Sequence, residues 1–347
     1  MTPLDGRGDG QARRRLVLLA PVAALGLACA AATFSTASGC TWDYTAQTTT
    51  EDATDDGEPD TASLPDTYTL PDGRVCSGHD EDGDGIPDEC DNCPNVANPG
   101  QEVGSATAVG ARCAPPVAFI AAPSRLLFDP FTSLDNWKLF GAGTGVFSLG
   151  PEGDSLVGGG LGKELPFVVG SVGAGASAVV ATTTMTIADE AVEAPFGSAG
   201  LLLRVSSDAS KKFYLCAVSY RNGFALARAP DGGCTGDVCA PVTFTMPGDG
   251  GAVPAQNPIP ADIPHKLGDT IGIRMSVTAS MGDGGILGDV ECRVFDPKRP
   301  ETLTSTDSKY ALKVTAGGLR WFPSGEVGLY AQRARAVFGS IDVLRGP

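Results

Sequence analysis

One acidic segment carries the clearest chemistry in this chain of 347 residues. In the twelve residues from 80 to 91, oxygen ligands fall at places 1, 3, 5, 7, 9 and 12, which are Asp80, Asp82, Asp84, Ile86, Asp88 and Asp91. Calcium takes about six to eight hard oxygen ligands, and this spacing folds alternate side chains around one ion, with the main-chain carbonyl of Ile86 at place 7. Gly85 permits the sharp turn that such a loop needs. The spacing predicts a calcium site built from these six residues.

The residues after the loop decide what kind of calcium site this is. Asp91 runs directly into the Asn-Cys-Pro of residues 92–94, which stops an exiting helix, and place 12 is not the usual Glu, so an EF-hand is excluded. The run from 88 to 101, Asp-x-Cys-Asp-Asn-Cys-Pro-Asn-x-x-Asn-Pro-x-Gln, closely resembles a thrombospondin type 3 repeat. That family wraps a chain with little regular structure around calcium and staples it with disulfides.

The resemblance implies calcium as the bound ion and the same six ligands, residue by residue. Asn98 and Gln101 match later polar positions of the family. Glu102 and Val103 replace the Asp-x-Asp that would begin another repeat, so the resemblance supports one ion and no long array.

Residues 1–39 are typical of an export signal. Three arginines at 13–15 precede an uncharged, mostly apolar run from 16 to 34, and small residues follow at 37–39, which is the order of a secretory signal peptide. With Cys40 directly after them, these residues resemble the lipobox of bacterial lipoproteins, whose cysteine is acylated. We therefore expect lipidation at Cys40 and an outer-membrane lipoprotein facing the periplasm or the cell surface. Acylation at Cys29, a plain cleavable signal and an uncleaved membrane anchor are the alternatives.

Charge divides the rest of the chain. Of the net charge of −16, residues 40–113 carry −15 and residues 114–347 only −3. Residues 41–75 are rich in Thr, Asp and Pro without apolar periodicity, and we expect a disordered acidic tether. Residues 76–113 contain the loop and are called the calcium module below, and residues 114–347 form the last domain. An acidic chain without clustered bases argues against nucleic acid as a partner.

The cysteine count supports an exported, disulfide-bonded chain. Beyond Cys29 and Cys40 there are eight cysteines, four on each side of residue 114. Four cysteines allow three pairings, so the count alone leaves the connectivity open. We favour the sequential pairing in the calcium module and propose two pairs in the last domain: Cys76 with Cys90, Cys93 with Cys113, Cys216 with Cys292, and Cys234 with Cys239. Zinc at the Cys-x-x-Cys of residues 90–93 is the alternative, which the lack of a second such pair disfavours.

Residues 114–347 repeat short apolar or β-branched runs that Gly, Asp and Pro separate, and no long run has a helical period. The clearest runs are Ala178–Ile187, Ala199–Val205, Phe213–Ser219, Phe224–Arg228, Val242–Met246, Ile271–Thr278, Val290–Phe295, Val327–Ala331 and Val337–Leu344. Many short strands with turn signals between them predict a mainly β domain, either a sandwich or a barrel.

The two ends of this domain favour a sandwich. Residues 127–137 (Leu-Phe-Asp-x-Phe, then Leu-Asp-Asn-Trp) and residues 325–343 resemble the concanavalin-like, laminin-G-like jelly rolls. The resemblance implies a jelly-roll β-sandwich, a fold that both lectins and glucanases use. We expect Trp137, Tyr330 and Phe338 to pack in its core rather than to form a sugar-binding platform.

We find no catalytic constellation. Asp189, Glu190 and Glu193 come nearest to the paired carboxylates of a glycosidase, and beside Pro195 they are expected in a solvated loop. His265 has no recognisable nucleophile elbow. The sequence therefore predicts a calcium-binding surface protein without enzymatic activity, whose sandwich binds a carbohydrate or a cell-envelope partner in an adhesion or binding role. A glycan-degrading hydrolase on the same scaffold and a purely structural envelope spacer are the alternatives.

Overall fold

The computed structural model describes residues 67–69, 73–103, 109–115, 123–140, 147–160, 167–170, 178–192, 197–206, 213–228, 234–235, 238–239, 246–248, 251–253, 255–278, 280–282, 285–315 and 325–346. These residues all belong to one compact unit. Nothing helical among them is long and apolar enough to cross a bilayer. The predicted signal, Cys29, Cys40 and most of the predicted tether lie outside the described residues.

Short antiparallel strands dominate the described residues. In chain order they are β1 (Thr67–Thr69), β2 (Val75–Ser77), β3 (Ser124–Asp129), β4 (Trp137–Phe140), β5 (Phe147–Leu149), β6 (Leu156–Gly160), β7 (Phe167–Gly170), β8 (Ala178–Glu190), β9 (Ser198–Val205), β10 (Tyr214–Ser219), β11 (Gly223–Arg228), β12 (Cys234–Thr235), β13 (Val238–Cys239), β14 (Met246–Gly248), β15 (Gly251–Val253), β16 (Ala255–Asn257), β17 (Thr270–Thr278), β18 (Ser280–Gly282), β19 (Gly285–Leu287), β20 (Asp289–Phe295), β21 (Ala311–Thr315), β22 (Glu326–Gln332) and β23 (Ala334–Arg345). The short helix α1 (Pro300–Thr304) and a 3₁₀ turn (Ser308–Tyr310) lie between β20 and β21.

Two antiparallel sheets form the sandwich. Sheet I has the strand order β16-β11-β10-β9-β22-β7-β4, and sheet II has the order β21-β20-β17-β8-β23-β6-β5, with β3 also paired to β23. Consecutive strands repeatedly change sheet, as from β8 to β9, from β16 to β17 and from β22 to β23. The predicted mainly β jelly-roll sandwich is confirmed.

The alternation of apolar and polar residues along the strands shows which face of each sheet packs in the core. In β17, Ile271, Ile273 and Met275 are buried between the sheets, whereas Arg274 and Ser276 alternate with them on the other face of sheet II. One disulfide crosses this core: Cys216 of β10 in sheet I is bonded to Cys292 of β20 in sheet II, with their Cα atoms 5.3 Å apart. The predicted pairing of these cysteines is confirmed.

Most predicted runs coincide with strands to within a few residues, and β8 is the instructive exception. It continues past Ile187 to Glu190 and pairs with β23 as far as Ala334. The expectation of a loop is therefore wrong for Asp189 and Glu190, since both lie at the end of a strand. Asp189 is exposed as expected, whereas Glu190 is only 2% exposed. Glu193 and Pro195 lie outside the described residues, as does the Val242–Met246 run except for Met246, which opens β14.

The aromatic side chains of the resemblance are structural. Trp137 and Phe131 pack with ring centroids 5.4 Å apart, and the indole N–H of Trp137 donates to Asp129 Oδ2 at 2.8 Å. Tyr330 and Phe338 are at most 1% exposed. The prediction that Trp137, Tyr330 and Phe338 are core residues rather than a sugar platform is confirmed.

The calcium module forms a third layer on the outer face of sheet II. Its Cys93, Val96 and Cys113 share an apolar cluster with Val180 of β8 and with Phe295 of β20. The Ala97 amide donates to the carbonyl of Pro297 at 3.1 Å. The module therefore packs against the sandwich instead of projecting from it.

Candidate metal centre

The calcium loop turns at glycine as the sequence predicts. Gly85 has a φ of +90°, in the left-handed region that favours glycine. Around this turn the backbone N–H groups point at carboxylates: Gly83 and Gly85 donate to Asp80 at 2.9 Å and 2.7 Å, and Ile86 donates to Asp84 Oδ1 at 2.9 Å. These bonds hold the aspartate side chains on the inside of the loop.

Three of the predicted ligands meet at one point. Asp80, Asp82 and Asp84 each offer a carboxylate oxygen, and these oxygens lie within 4.8 Å of one another. Asp82 and Asp91 are 2% and 4% exposed, and their Oδ2 atoms accept no hydrogen bond within the described part of the chain. A buried carboxylate oxygen without a donor is costly unless a cation compensates it.

The pKa values of the clustered aspartates are raised for the same reason, which is burial close to other carboxylates. Burial, and then the charges of Asp84 and Asp91, raise the pKa of Asp82 to about 9. Burial also raises the pKa of Asp91 to about 7, against the hydrogen bonds that Gln101 and Cys93 donate to it. The centre therefore has a strong deficit of positive charge, and hard oxygen donors of this kind fit calcium.

The polar residues after the loop hold the carboxylates in place. The Asn98 amide donates to Asp84 Oδ2 at 2.6 Å, and the Gln101 side chain donates to Asp91 Oδ1 at 2.6 Å. Asn92 bonds to both Asn98 and Gln101, which closes the network. The match of Asn98 and Gln101 to the family's later polar positions thus corresponds to an orienting role toward the ligands.

Two residues at the centre were missed in the sequence because they fall between the ligand positions. The Glu81 side chain is 9% exposed and accepts a hydrogen bond from Thr184 Oγ1 of β8, and its carboxylate occupies the space that a Cβ at Gly339 of β23 would need. His79 Nδ1 lies 3.5 Å from both Glu81 Oε2 and Asp88 Oδ2. The neighbouring Asp88 carboxylate, and then the charge of Glu81, raise the pKa of His79 to about 9. No spacing signal distinguishes Glu81 from a solvated acid.

Both predicted disulfides of the module are present, Cys76 with Cys90 and Cys93 with Cys113. Because the sulfurs of Cys90 and Cys93 are used in these bonds, neither is a thiolate that zinc could bind, and the zinc alternative is excluded for this state. The backbone also pairs Cys234 with Cys239 in the hairpin of β12 and β13. A bond between those two sulfurs stays a prediction.

A second candidate site lies at one end of sheet I. The turn between β10 and β11 and the segment that follows β16 enclose an open pocket of about 450 Å³, called the turn pocket here. Its lining is rich in hydrogen-bonding side chains: Tyr220, Arg221, Asn222, Gln256, Asn257 and His265, with Pro258 and Ile259 beside them. No sequence motif indicates this pocket, because its residues come from three separate segments.

Glu190 builds this turn rather than acting as an exposed acid. Its Oε2 accepts from the Tyr220 amide at 3.0 Å, and its Oε1 accepts from the Ser219 hydroxyl. Tyr220 in turn donates its hydroxyl to the carbonyl of Asp269 at 2.6 Å. His265 Nδ1 contacts the Ile263 carbonyl at 2.7 Å, which leaves Nε2 for the pocket.

Comparison with known protein families supports the calcium site. The sequence model of the thrombospondin type 3 repeat matches residues 72–101, so the chain contains such a repeat followed by a jelly-roll β-sandwich. No curated protein matches the chain.

Several solved structures share a weak overall likeness. A protein of unknown function with a galectin-like fold from Bacillus subtilis has 10% identity and a TM-score of 0.37, over 65% of this chain and 98% of that one. The carbohydrate recognition domain of Emp47p has 12% identity and a TM-score of 0.36, over 67% and 100%. Alginate lyase vAL-1 from Chlorella virus has 9% identity and a TM-score of 0.37, over 60% and 93%. Scores this low carry no functional argument, and the fold rests on the strand pairing above.

Proposed function

We propose that this is an exported calcium-binding protein, anchored through acylated Cys40 at the outer membrane, whose sandwich binds carbohydrate in an adhesion or binding role. The observation that carries the calcium assignment is the three buried Oδ2 atoms of Asp82, Asp88 and Asp91, which accept no hydrogen bond from the described residues and lie within a thrombospondin type 3 repeat. One ion bound by Asp80, Asp82, Asp84, Asp88, Asp91 and the Ile86 carbonyl compensates these charges. The ion fixes the loop and performs no chemistry.

Calorimetric titration of calcium into chelator-treated protein tests this assignment. We expect one site, and we expect Asp82→Asn to weaken calcium binding by about 100-fold, since it removes a charged ligand at the centre of the cluster. Glu89→Gln is the matched control, because Glu89 is an exposed acid of the same loop that bonds only to the Ser77 amide among the described residues. Equal affinities for the two variants would contradict the ligand assignment.

The turn pocket supports carbohydrate as the ligand of the sandwich. Gln256 Nε2 donates to the carbonyl of Asn222, and Asn257 Nδ2 donates to the carbonyl of Ser308 at 3.3 Å. Their amide oxygens accept no hydrogen bond from described residues, so they can receive the hydroxyl protons of a sugar. Arg221 and His265 add donors, and Pro258 and Ile259 offer apolar contact.

A glycan array probed with calcium-loaded full-length protein tests this second part. We expect saturable binding to a neutral glycan, weakened about tenfold by Gln256→Ala, since each such variant loses one or two hydrogen bonds. Asn136→Ala is the control, because Asn136 is an exposed amide away from the pocket. Binding that Gln256→Ala leaves unchanged would rule out the turn pocket, and no binding to any glycan would favour the envelope spacer.

A further inference from the structure

Two arginines face each other on the outer face of sheet II. Arg274 of β17 and Arg293 of β20 are direct cross-strand partners, and the next pair on the same face is Ser276 with Glu291. Like charges in directly opposite positions destabilise a sheet. An anion bound between the two guanidinium groups therefore reduces this repulsion.

Glu291 forms an ion pair with only one of them. Its Oε1 accepts from Arg293 Nε at 3.0 Å, and Arg293 Nη1 donates to the carbonyl of Ser305 at 2.7 Å. Arg274 is 6% exposed and donates to neutral oxygens, Thr182 Oγ1 at 3.1 Å and the Cys113 carbonyl at 2.5 Å. No carboxylate of the described residues forms a direct ion pair with it, and the charges of Asp342 and Glu291 act on it only from a greater distance, where they raise its pKa. Burial, and then the charge of Arg293, lower the pKa of Arg274 to about 10, so it is still a cation at neutral pH.

A cavity opens beside this pair. It has a volume of about 330 Å³ and lies between the end of the calcium module, the outer face of sheet II and the segment that follows α1. Arg274, Arg293 and Glu291 line it, with a net charge of +1, and hydroxyl groups of Ser276 and Ser305 join them. Leu303 supplies an apolar wall. We call this the arginine pocket.

We propose that the arginine pocket binds a small polyhydroxylated carboxylate, such as an acidic monosaccharide, with its carboxylate between Arg274 and Arg293. Arg274 Nη1 and Arg293 Nη2 make no hydrogen bond within the described part of the chain, and planar guanidinium groups suit a planar carboxylate. The serine hydroxyls match sugar hydroxyls, and the volume admits one sugar ring rather than a chain. This site is separate from the turn pocket and from the calcium centre.

The test is titration of calcium-loaded full-length protein with glucuronate, with glucose as the neutral probe and inorganic phosphate as a second anion. We expect glucuronate to bind about 10- to 100-fold more tightly than glucose, the worth of a charge-assisted hydrogen bond or two. Arg293→Gln should remove that preference. Arg345→Gln, an exposed arginine at the end of β23 with the same change in charge, should leave the affinity within about twofold.

Since Arg293 also holds the Ser305 carbonyl, the location is checked without a variant. Amide chemical-shift changes on adding glucuronate are expected at Ser276, Arg293 and Ser305. Equal binding of glucose and glucuronate, no binding of glucuronate, or shifts confined to Asn222 and Gln256 would overturn the proposal. Tighter binding of phosphate than of glucuronate would also overturn the carboxylate assignment. Failure here leaves the turn pocket untouched, because its tests use neutral glycans and Gln256→Ala.

Discussion

At the scale of single residues, the calcium loop shows how one type of side chain takes opposite roles by position. The carboxylates of Asp80 and Asp84 accept hydrogen bonds from backbone N–H groups of the turn. Asp82 and Asp91 each have one buried oxygen that accepts no hydrogen bond from the described residues. Glu81, between the ligands in sequence, turns away from them to Thr184 of the sandwich. Neighbouring residues of one loop therefore have different partners: the aspartates face the metal centre, and Glu81 contacts the sheet.

Calcium binding should depend on pH because of these buried acids. The pKa of Asp82 is raised to about 9 and that of Asp91 to about 7, against about 3.9 for an unfolded Asp. Between pH 4 and 9 the calcium-free folded state keeps protons that the unfolded state has lost, so its stability should fall as the pH rises. Calcium must displace these protons, so its affinity should rise over the same interval with proton release. Titration in buffers of different ionisation enthalpy measures the release; an affinity independent of pH from 5 to 9 would contradict the expectation.

At the scale of elements, the strand pairing of the sandwich explains its cross-link. Cys216 and Cys292 lie on strands of different sheets, 76 residues apart in the chain, so their bond closes a long loop and joins the two layers through the core. Long loops have a large closure entropy in the unfolded chain.

Replacing both cysteines, Cys216→Ala with Cys292→Ala, should lower the free energy of unfolding by about 2–4 kcal/mol. Urea denaturation under oxidising conditions measures this. The comparison pair is Cys234→Ala with Cys239→Ala, which removes a predicted bond across a short hairpin and should cost less, since loop-closure entropy grows with loop length. A larger loss from the hairpin pair would show that the inter-sheet bond is not the main cross-link.

The calcium module is held to the sheet by bonds that are remote in sequence. Arg125 of β3 binds both oxygens of Asp342 on β23, at 2.8 Å and 3.2 Å, and also donates to the Asn92 carbonyl of the module. Ser340 of β23 donates to Asn95 Oδ1 at 2.9 Å. The module and sheet II therefore form a continuous hydrogen-bonded layer.

At the scale of the whole molecule, this layer should make the sandwich sensitive to calcium. A ligand present at 100 times its dissociation constant stabilises the folded state by about 2.7 kcal/mol. Chelation should therefore lower the melting temperature of the protein and speed proteolysis within residues 76–113. Asp82→Asn serves as the control, since chelation should change the melting temperature and the proteolysis rate of this variant little. If proteolysis of the wild type is the same with and without calcium, the ion does not stabilise the module.

The sequence by itself determined the features that depend on local spacing. Six oxygen positions in twelve residues predicted the calcium loop, the period-two runs predicted the strands, and the sequential pairing of the module's cysteines is confirmed. Such patterns are readable because each is set by the turn or pleat of its own segment. The assignments at Cys40 and of calcium itself stay predictions.

The tertiary structure decided what depends on register between distant segments. No motif places the calcium module against the sandwich, but Arg125 of β3 donates to the Asn92 carbonyl and Ser340 of β23 donates to Asn95 Oδ1, and these contacts hold the module on sheet II. Glu190 was predicted to lie in a loop, but it is a buried strand residue because β8 continues along β23. Neither the turn pocket nor the paired Arg274 and Arg293 has a motif, because strand order and register, rather than spacing along the chain, create both.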